Sequence, residues 1–344
     1  MNDFIKQSAS EQLLYYEQAS ASLNLPAVAI EKDFWVCWTL RELFSLPGWK
    51  DHLTFKGGTS LSKVWKLIER FSEDIDLVVG RSYLGFDGDA DPELSHTQSQ
   101  EKKRLKRLKK FCREKVLADL LPNLKALAEK VIPDCNTDCL RFVDEDNDSD
   151  TIEFHYPSVF PKDSLGAMLP YVKIEMGPRG DNWPAGLYSI QPYLAQILPR
   201  DSSFKSDINV RVLEAERTFW EKAMLLHEET FRPDGKKRKP RMARHYYDLY
   251  CMIQAGVAKR AMEDVKLFER VRKHRQFYFN VSWVDYSTMS PGKIRLVPSD
   301  SDLADWKNDY AAMRRVFFFG TVPAFDELIQ VVTDFQTHLN SRDL

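Results

Sequence analysis

At 344 residues, with 43% hydrophobic and 29% charged residues, the chain can bury a real core and has room for two domains or one elaborated one. Its apolar runs are too short to span a bilayer, and its polar N-terminus, MNDFIKQSASEQ, has no signal-peptide core, so a cytoplasmic location without membrane attachment is expected. Lys and Arg number 49 against 51 acids, a net charge of −2, so only the distribution of charge bears on a nucleic-acid partner.

Residues 1 to about 48 read as helices, with Leu13, Leu14, Tyr16 and Leu23 as apolar anchors and Pro26 opening the next helix. In that helix Phe34, Cys37, Trp38 and Arg41 nearly align, as expected of a core helix lying on a sheet. A strand is expected from Leu53 to Lys56, then a Gly57-Gly58 turn. An amphipathic helix follows, with Leu61, Val64, Trp65 and Ile68 inward and Lys63, Lys66 and Glu69 outward. Thr59 and Ser60 are placed to cap it, and free N–H groups at such a helix start favour a phosphate oxygen. The next strand carries Asp74 and Asp76. Strand alternation puts both carboxylates on one face, where they can hold a divalent metal. Taken singly, the glycine pair is also consistent with a plain turn, and Asp-x-Asp with a solvated Asx-turn.

After Val79 a glycine-containing polar loop leads into EKKRLKRLKKFCREK, with nine basic residues, two glutamates and a narrow stripe of Leu105, Leu108 and Cys112. This is either a solvated helix or one that meets RNA phosphates. Another amphipathic helix is expected over 118–131, and residues 144–150, DEDNDSD, read as a solvated acidic loop without the EF-hand pattern. TIEFHY and YVKIEM alternate as strands. In the second, Glu175 lies either on the wet face or, if its strand neighbours that of Asp74, as a third metal carboxylate. The Pro-rich stretch 178–207 is a poor candidate for regular structure.

A helix is expected over 212–229, with Val212, Ala215, Phe219, Ala223 and Leu226 inward. Lys222 sits at the edge of that stripe, so it either snorkels out or finds an anion. The loop RPDGKKRKPRMAR has seven basic residues and one acid, a second segment suited to a polyanion. In the following helix Tyr246, Leu249, Tyr250 and Ile253 form the apolar face, Arg244 and Asp248 are i,i+4 neighbours, and His245 reads as packed. The remainder reads as helical with aromatic anchors and a short strand at 293–297. The five cysteines, Cys37, Cys112, Cys135, Cys139 and Cys251, form no CxxC pair and are expected to be reduced.

The order strand, glycine turn, helix, acidic strand resembles the minimal nucleotidyltransferase motif. The fuller text KGGTS at 56–60 and RFSEDIDL at 70–77 resembles the AbiEii-type nucleotidyltransferase toxins, including the MenT group. EKDFWV, ERTFWEK, RHYYDLY and KIRLVP are similar to further segments of that family. The resemblance implies an α+β fold, a nucleotidyltransferase-type mixed sheet with flanking helices. It places this sheet in residues 1–207, with a basic helical insertion at about 81–150, and a mostly helical domain in 208–344 that closes the cleft. It implies NMP transfer from an NTP with Mg²⁺ or Mn²⁺, to RNA such as the tRNA 3′ end, by the toxin of a type IV toxin-antitoxin or abortive-infection pair. An antitoxin is then a partner, bound directly or only opposing the effect. The alternatives are a nucleotide-binding regulatory module without transfer, or a protein or small-molecule hydroxyl as acceptor. Carried over residue by residue, Asp74, Asp76, Lys222 and Asp248 are catalytic. Asp74, Asp76 and Glu175 hold metal. Gly57, Gly58, Thr59, Ser60, Ser72, Lys222 and Arg244 bind nucleotide.

Overall fold

The computed structural model describes residues 1–72, 74–133, 135, 138–143, 150–166, 168–198 and 207–342. All but the last residue of the acidic run at 144–150, and part of the Pro-rich stretch before 207, lie outside them. Two compact units divide the chain. One comprises Met1–Val64 and Ser72–Leu213, the other Trp65–Phe71 and Glu214–Leu344.

The first unit runs α1 (Asn2–Ile5), α2 (Ala9–Leu23), α3 (Ala27–Leu43), β1 (Leu53–Lys56), α4 (Gly57–Lys63) and β2 (Asp74–Val79). It continues with α5 (Gln98–Lys115), α6 (Leu121–Val131), β3 (Leu140–Val143), β4 (Asp150–His155), β5 (Tyr171–Gly177), β6 (Ala185–Ile190) and β7 (Ile208–Leu213). The strands form one mixed sheet in the order β3-β4-β5-β2-β1-β7-β6, parallel at β5/β2 and β1/β7 and antiparallel elsewhere. The fold is therefore α+β.

Ser8 and Glu11 close a capping box at the start of α2, and Asn24 ends it in the left-handed region, so α3 can begin directly after Pro26. Helix α3 is buried from Ala29 to Leu40 on all sides, more than its single aligned face implied. It lies on β2, β5 and β7, where Trp35 and Trp38 pack on Phe154 of β4 at 5.7 and 5.3 Å between ring centroids. By strand register Ile75, Ile174 and Ile152 share that covered face, which leaves the alternate residues, Asp74, Asp76 and Glu175 among them, on the other.

Several expectations need correction. The helix expected to run through Ile68 stops at Lys63, and Lys66 takes φ 51 beyond it. Trp65–Phe71 instead groups with the second unit. Lys63, assigned to the wet face, is buried, forms an ion pair with Asp33 and lies 4.0 Å over the Tyr193 ring. Leu14, expected as an anchor, is 65% exposed. Strands β6 and β7 occupy places assigned to irregular chain and helix start, because INVRVL alternates as a strand before Glu214 opens the next helix. Helices α5 and α6 join through a π turn at Val116–Leu120. Cys135 and Cys139 are disulfide-bonded rather than reduced, their Cα atoms 6.0 Å apart.

The second unit contains α7 (Ala215–Thr230), α8 (Arg244–Gln254), α9 (Val257–Glu263), α10 (Val265–Tyr278), α11 (Asp300–Phe317) and α12 (Phe325–Asn340). Its core is aromatic. Phe219 and Trp220 on α7 meet Phe335 and Phe268, and Tyr246 on α8 meets Trp306 edge-on at 4.9 Å. Residues 293–297 form turns and irregular chain rather than a strand, because Tyr246 Oη donates to the Leu296 carbonyl and the Gln336 side chain accepts from Leu296 N–H.

Candidate active site

On β2 the burial alternates as the spacing requires. Asp74 and Asp76 are partly exposed while Ile75 and Leu77 are buried. Gly57 takes φ +79, and a Cβ there would stand 2.0 Å from Asp76 Oδ2. Glycine is thus needed twice, for the dihedral and for the room that the Asp76 carboxylate occupies. Lys56 is the register partner of Asp76 across β1 and β2.

Thr59 and Ser60 are not caps. Helix α4 already starts at Gly57, with Lys56 at its cap position. Thr59 Oγ1 donates to the Asp74 carbonyl at 2.5 Å and lies 2.9 Å from Ser72 Oγ, and Ser60 Oγ donates to the Gly57 carbonyl. Both residues are buried, so their hydroxyls tie the glycine turn to the start of β2. Gly57, Gly58 and Ser72 remain partly exposed.

Glu175 is the register partner of Asp76, as an adjacent parallel strand requires, and Lys173 stands beside Asp74. Lys173 Nζ lies 2.9 Å from Glu175 Oε1. Among the described residues no three His, Cys, Asp or Glu side chains converge as a metal site. The donors nonetheless suit Mg²⁺ or Mn²⁺, hard ions of which magnesium typically takes one or two carboxylates and fills its other positions with water and substrate phosphate. Asp74 and Asp76 supply such a pair.

A second set of charged groups belongs to the helical unit. Asp248, on α8, is fully buried. It accepts from Arg70 Nε at 2.7 Å and Nη2 at 2.8 Å, and from Lys222 Nζ at 2.7 Å. Lys222 has thus found its anion. Burial alone would raise the Asp248 carboxyl, but Arg70 and then Lys222 hold it well below the usual carboxylate range. Burial lowers the Lys222 ammonium. Asp248 opposes that, while Arg70 and Arg244 add to it. Arg70 and Lys222 thus set two cations on one buried carboxylate. His245 Nδ1 is buried without a hydrogen-bond partner among the described residues, and burial, Lys222 and Arg244 keep its imidazole neutral. It is packed, as expected.

Arg70 is the residue that sequence reasoning passed over. Its position is set by main-chain bonds on either side, Phe71 N–H to the Phe317 carbonyl at 2.6 Å and Phe319 N–H to the Glu69 carbonyl at 3.0 Å. Glu69 N–H also donates to Tyr247 Oη. These bonds explain why the expected helix does not continue. Its only signal in the sequence was membership of RFSEDIDL.

The chain is matched over residues 38–331 by a family model described as nucleotidyl transferase AbiEii toxin, type IV TA system. It belongs to that family. Every candidate residue of this AbiEii-family chain, from Gly57 to Asp248, lies in the matched span. Among solved structures it is similar to MenT4, a nucleotidyltransferase toxin of Mycobacterium tuberculosis H37Rv, with 15% identity, TM-score 0.45, and 95% of this chain and 90% of that one covered. It is also similar to JHP933 of Helicobacter pylori, with 17% identity, TM-score 0.36, and coverages of 97% and 94%. No curated protein matches the chain. Among the described residues no helix is long and apolar enough to cross a membrane.

Proposed function

We propose that this nucleotidyltransferase-family toxin transfers NMP from an NTP to an RNA hydroxyl, with the tRNA 3′ end as acceptor, and that an antitoxin opposes it. The observation that carries this reading is the glycine that makes room for a carboxylate. Gly57 has no Cβ where Asp76 Oδ2 sits, and Asp74 shares the face. A strand that only needed a wet side would not demand glycine opposite an aspartate.

In the reaction the acceptor oxygen forms a bond to the α-phosphorus. The bond from that phosphorus to the bridging oxygen breaks, pyrophosphate leaves with the electron pair, and the acceptor proton passes to solvent. Magnesium or manganese held by Asp74 and Asp76 would neutralise triphosphate charge and lower the pKa of the attacking hydroxyl. Backbone N–H groups at Gly57 and Gly58, and the Ser72 hydroxyl, would orient the phosphates. Thr59 and Ser60 act through the turn they hold. Lys222 would stabilise charge on departing pyrophosphate, with Arg244 beside it. Asp248, ionised and saturated by two cations, is too weak a base to take a proton, so its role is to position Lys222. Glu175, ion-paired with Lys173, would be the third carboxylate available to the metal.

The test combines purified protein, labelled NTPs, Mg²⁺ and total RNA, comparing wild type with Asp76→Ala. Label is expected in RNA. The variant should lose at least the roughly hundredfold that losing an outer partner of a metal site costs. NTP binding with label in no acceptor would replace this reading with a nucleotide-binding module. Label in protein alone would replace the acceptor.

A further inference from the structure

Helix α5 carries its charge beside a cavity of about 770 Å³, within the range of about 300 to 1,000 Å³ that small-molecule sites occupy. One wall is the segment 83–90 and the other a single stripe of α5, on which Lys103, Arg104, Arg107 and Phe111 recur at helical spacing. Leu108 and Cys112, fully buried, form the neighbouring stripe that fastens the helix. The cavity therefore lies against the charged side of an anchored helix.

Three observations set its chemistry. Lys103 and Arg107 are exposed, one turn apart and about 6 Å along the axis, and neither has an ion pair or hydrogen bond among the described residues. Arg104 is different, since its Nη1 donates to the Asp91 carbonyl at 2.6 Å and holds the opposite wall. Phe111 is 51% exposed and meets the buried Phe86 edge-on at 6.1 Å, so its ring is braced yet open to a ligand. Asp89 is the one acid in the lining, against three cations. Uncommitted cations flanking an open aromatic ring are what a single-stranded nucleic acid uses, with phosphates on the cations and a base on the ring. A polyanion lacking bases would leave the phenylalanine without purpose.

The basic loop at 232–244 is a weaker candidate than its composition implied. Arg232 is paired with Glu229 and Arg238 with Asp302, while Lys236 lies 3.9 Å over Trp283 and Arg241 lies 5.0 Å over Phe317. Much of that charge is already engaged within its own unit.

We propose that the α5 cavity is a docking subsite for single-stranded RNA, which takes a base on Phe111 and adjacent phosphates on Lys103 and Arg107. The subsite rests on the reading of RNA as acceptor and says which part of this chain holds it. The test measures equilibrium binding of a fluorescent single-stranded RNA oligonucleotide to the full chain without NTP, over a range of salt, beside the transfer assay. Phe111→Ala is expected to weaken binding about tenfold, the scale of one missing base stack. Lys103→Ala with Arg107→Ala should weaken it and flatten the slope of log affinity against log salt by roughly 1.4, about 0.7 for each phosphate no longer neutralised. Both variants should unfold at the wild-type temperature and bind NTP unchanged. Unchanged RNA affinity in both variants overturns the subsite, even where wild-type protein labels RNA. A charge effect with no Phe111 effect also overturns it, because the face is then a plain polyanion surface such as an acidic protein segment would use. Failure of the acceptor reading looks different. Label then enters no RNA, whatever the oligonucleotide affinity.

Discussion

Asp76 and Asp248 are both aspartates of the proposed reaction, and they are held in opposite ways. Asp76 is partly exposed on a strand face, and its neighbourhood is shaped by a side chain that is missing, that of Gly57. Asp248 is fully buried and receives three charge-assisted hydrogen bonds from Arg70 and Lys222. A carboxylate that must bind and release an ion in each turnover has to remain wet, or desolvation would fix it in one state. A carboxylate that aims a lysine benefits from having no alternative. The first kind costs the fold little and the second is part of its core.

Mutation can break this contrast, and the largest effect is expected at Asp248. Asp248→Ala strands the Arg70 and Lys222 charges in a buried place and should cost about 3–5 kcal/mol in denaturant unfolding, with Asp248→Asn costing less. A cost below about 1 kcal/mol would mean that the cluster is not dry.

The units also differ in how they bury titratable groups. His227 accepts from Arg295 N–H, lies 3.1 Å from Thr288 Oγ1, and is lowered by burial to about 4 from 6.5. The unfolded chain therefore binds the extra proton between those values, and this group's contribution to stability rises with pH by on the order of 3 kcal/mol across that window. Glu31 accepts from Ser158 Oγ and Val159 N–H and is raised by burial to about 7 from 4.5. Here the folded chain holds the extra proton, so stability falls by a similar amount as pH rises between those values. The two slopes oppose each other between pH 4.5 and 6.5. Over that range His227→Gln should lose stability relative to wild type as pH rises and Glu31→Gln should gain it, read from unfolding midpoints at three pH values. Parallel curves for the two variants would contradict the assignment.

Gly57→Ala comes next, at about 2 kcal/mol, because it combines a left-handed dihedral with a Cβ placed on the Asp76 carboxylate. Transfer should fall more than stability does, since Asp76 must move. The smallest effect sharpens the comparison most. Asp76→Ala should change stability by no more than about 0.5 kcal/mol while abolishing transfer. If it destabilises as much as Asp248→Ala, the two aspartates are not of different kinds.

The strand-borne part of the site was legible because its logic is local. Alternation alone puts Asp74 and Asp76 on one side, and the glycine turn lies about a dozen residues away in the same text. Lys222 was half legible, since a lysine at the edge of an apolar stripe needs an anion, but its partner could not be named from spacing. Arg70 was not legible. Its carboxylate is 178 residues away, and the residues around it read as the end of an amphipathic helix. The same limit hid the Lys63 and Asp33 pair, two charges 30 positions apart whose burial no periodicity announces. Strand β7 alternates plainly as INVRVL, yet it runs almost directly into α7 with only Glu214 between, so the helical period of the following residues masked it.

The seven residues Trp65–Phe71 belong with Glu214–Leu344 although they sit inside the glycine-to-aspartate motif of the sheet unit. A polypeptide beginning at Glu214 would carry Lys222 and Asp248 without Arg70, and one ending at Leu213 would carry Arg70 without its counter-ion. Neither half is a transferable module. Recombination that exchanged C-terminal halves between diverged relatives would mismatch an arginine and an aspartate inherited from different parents, so the two halves of this gene are expected to descend together.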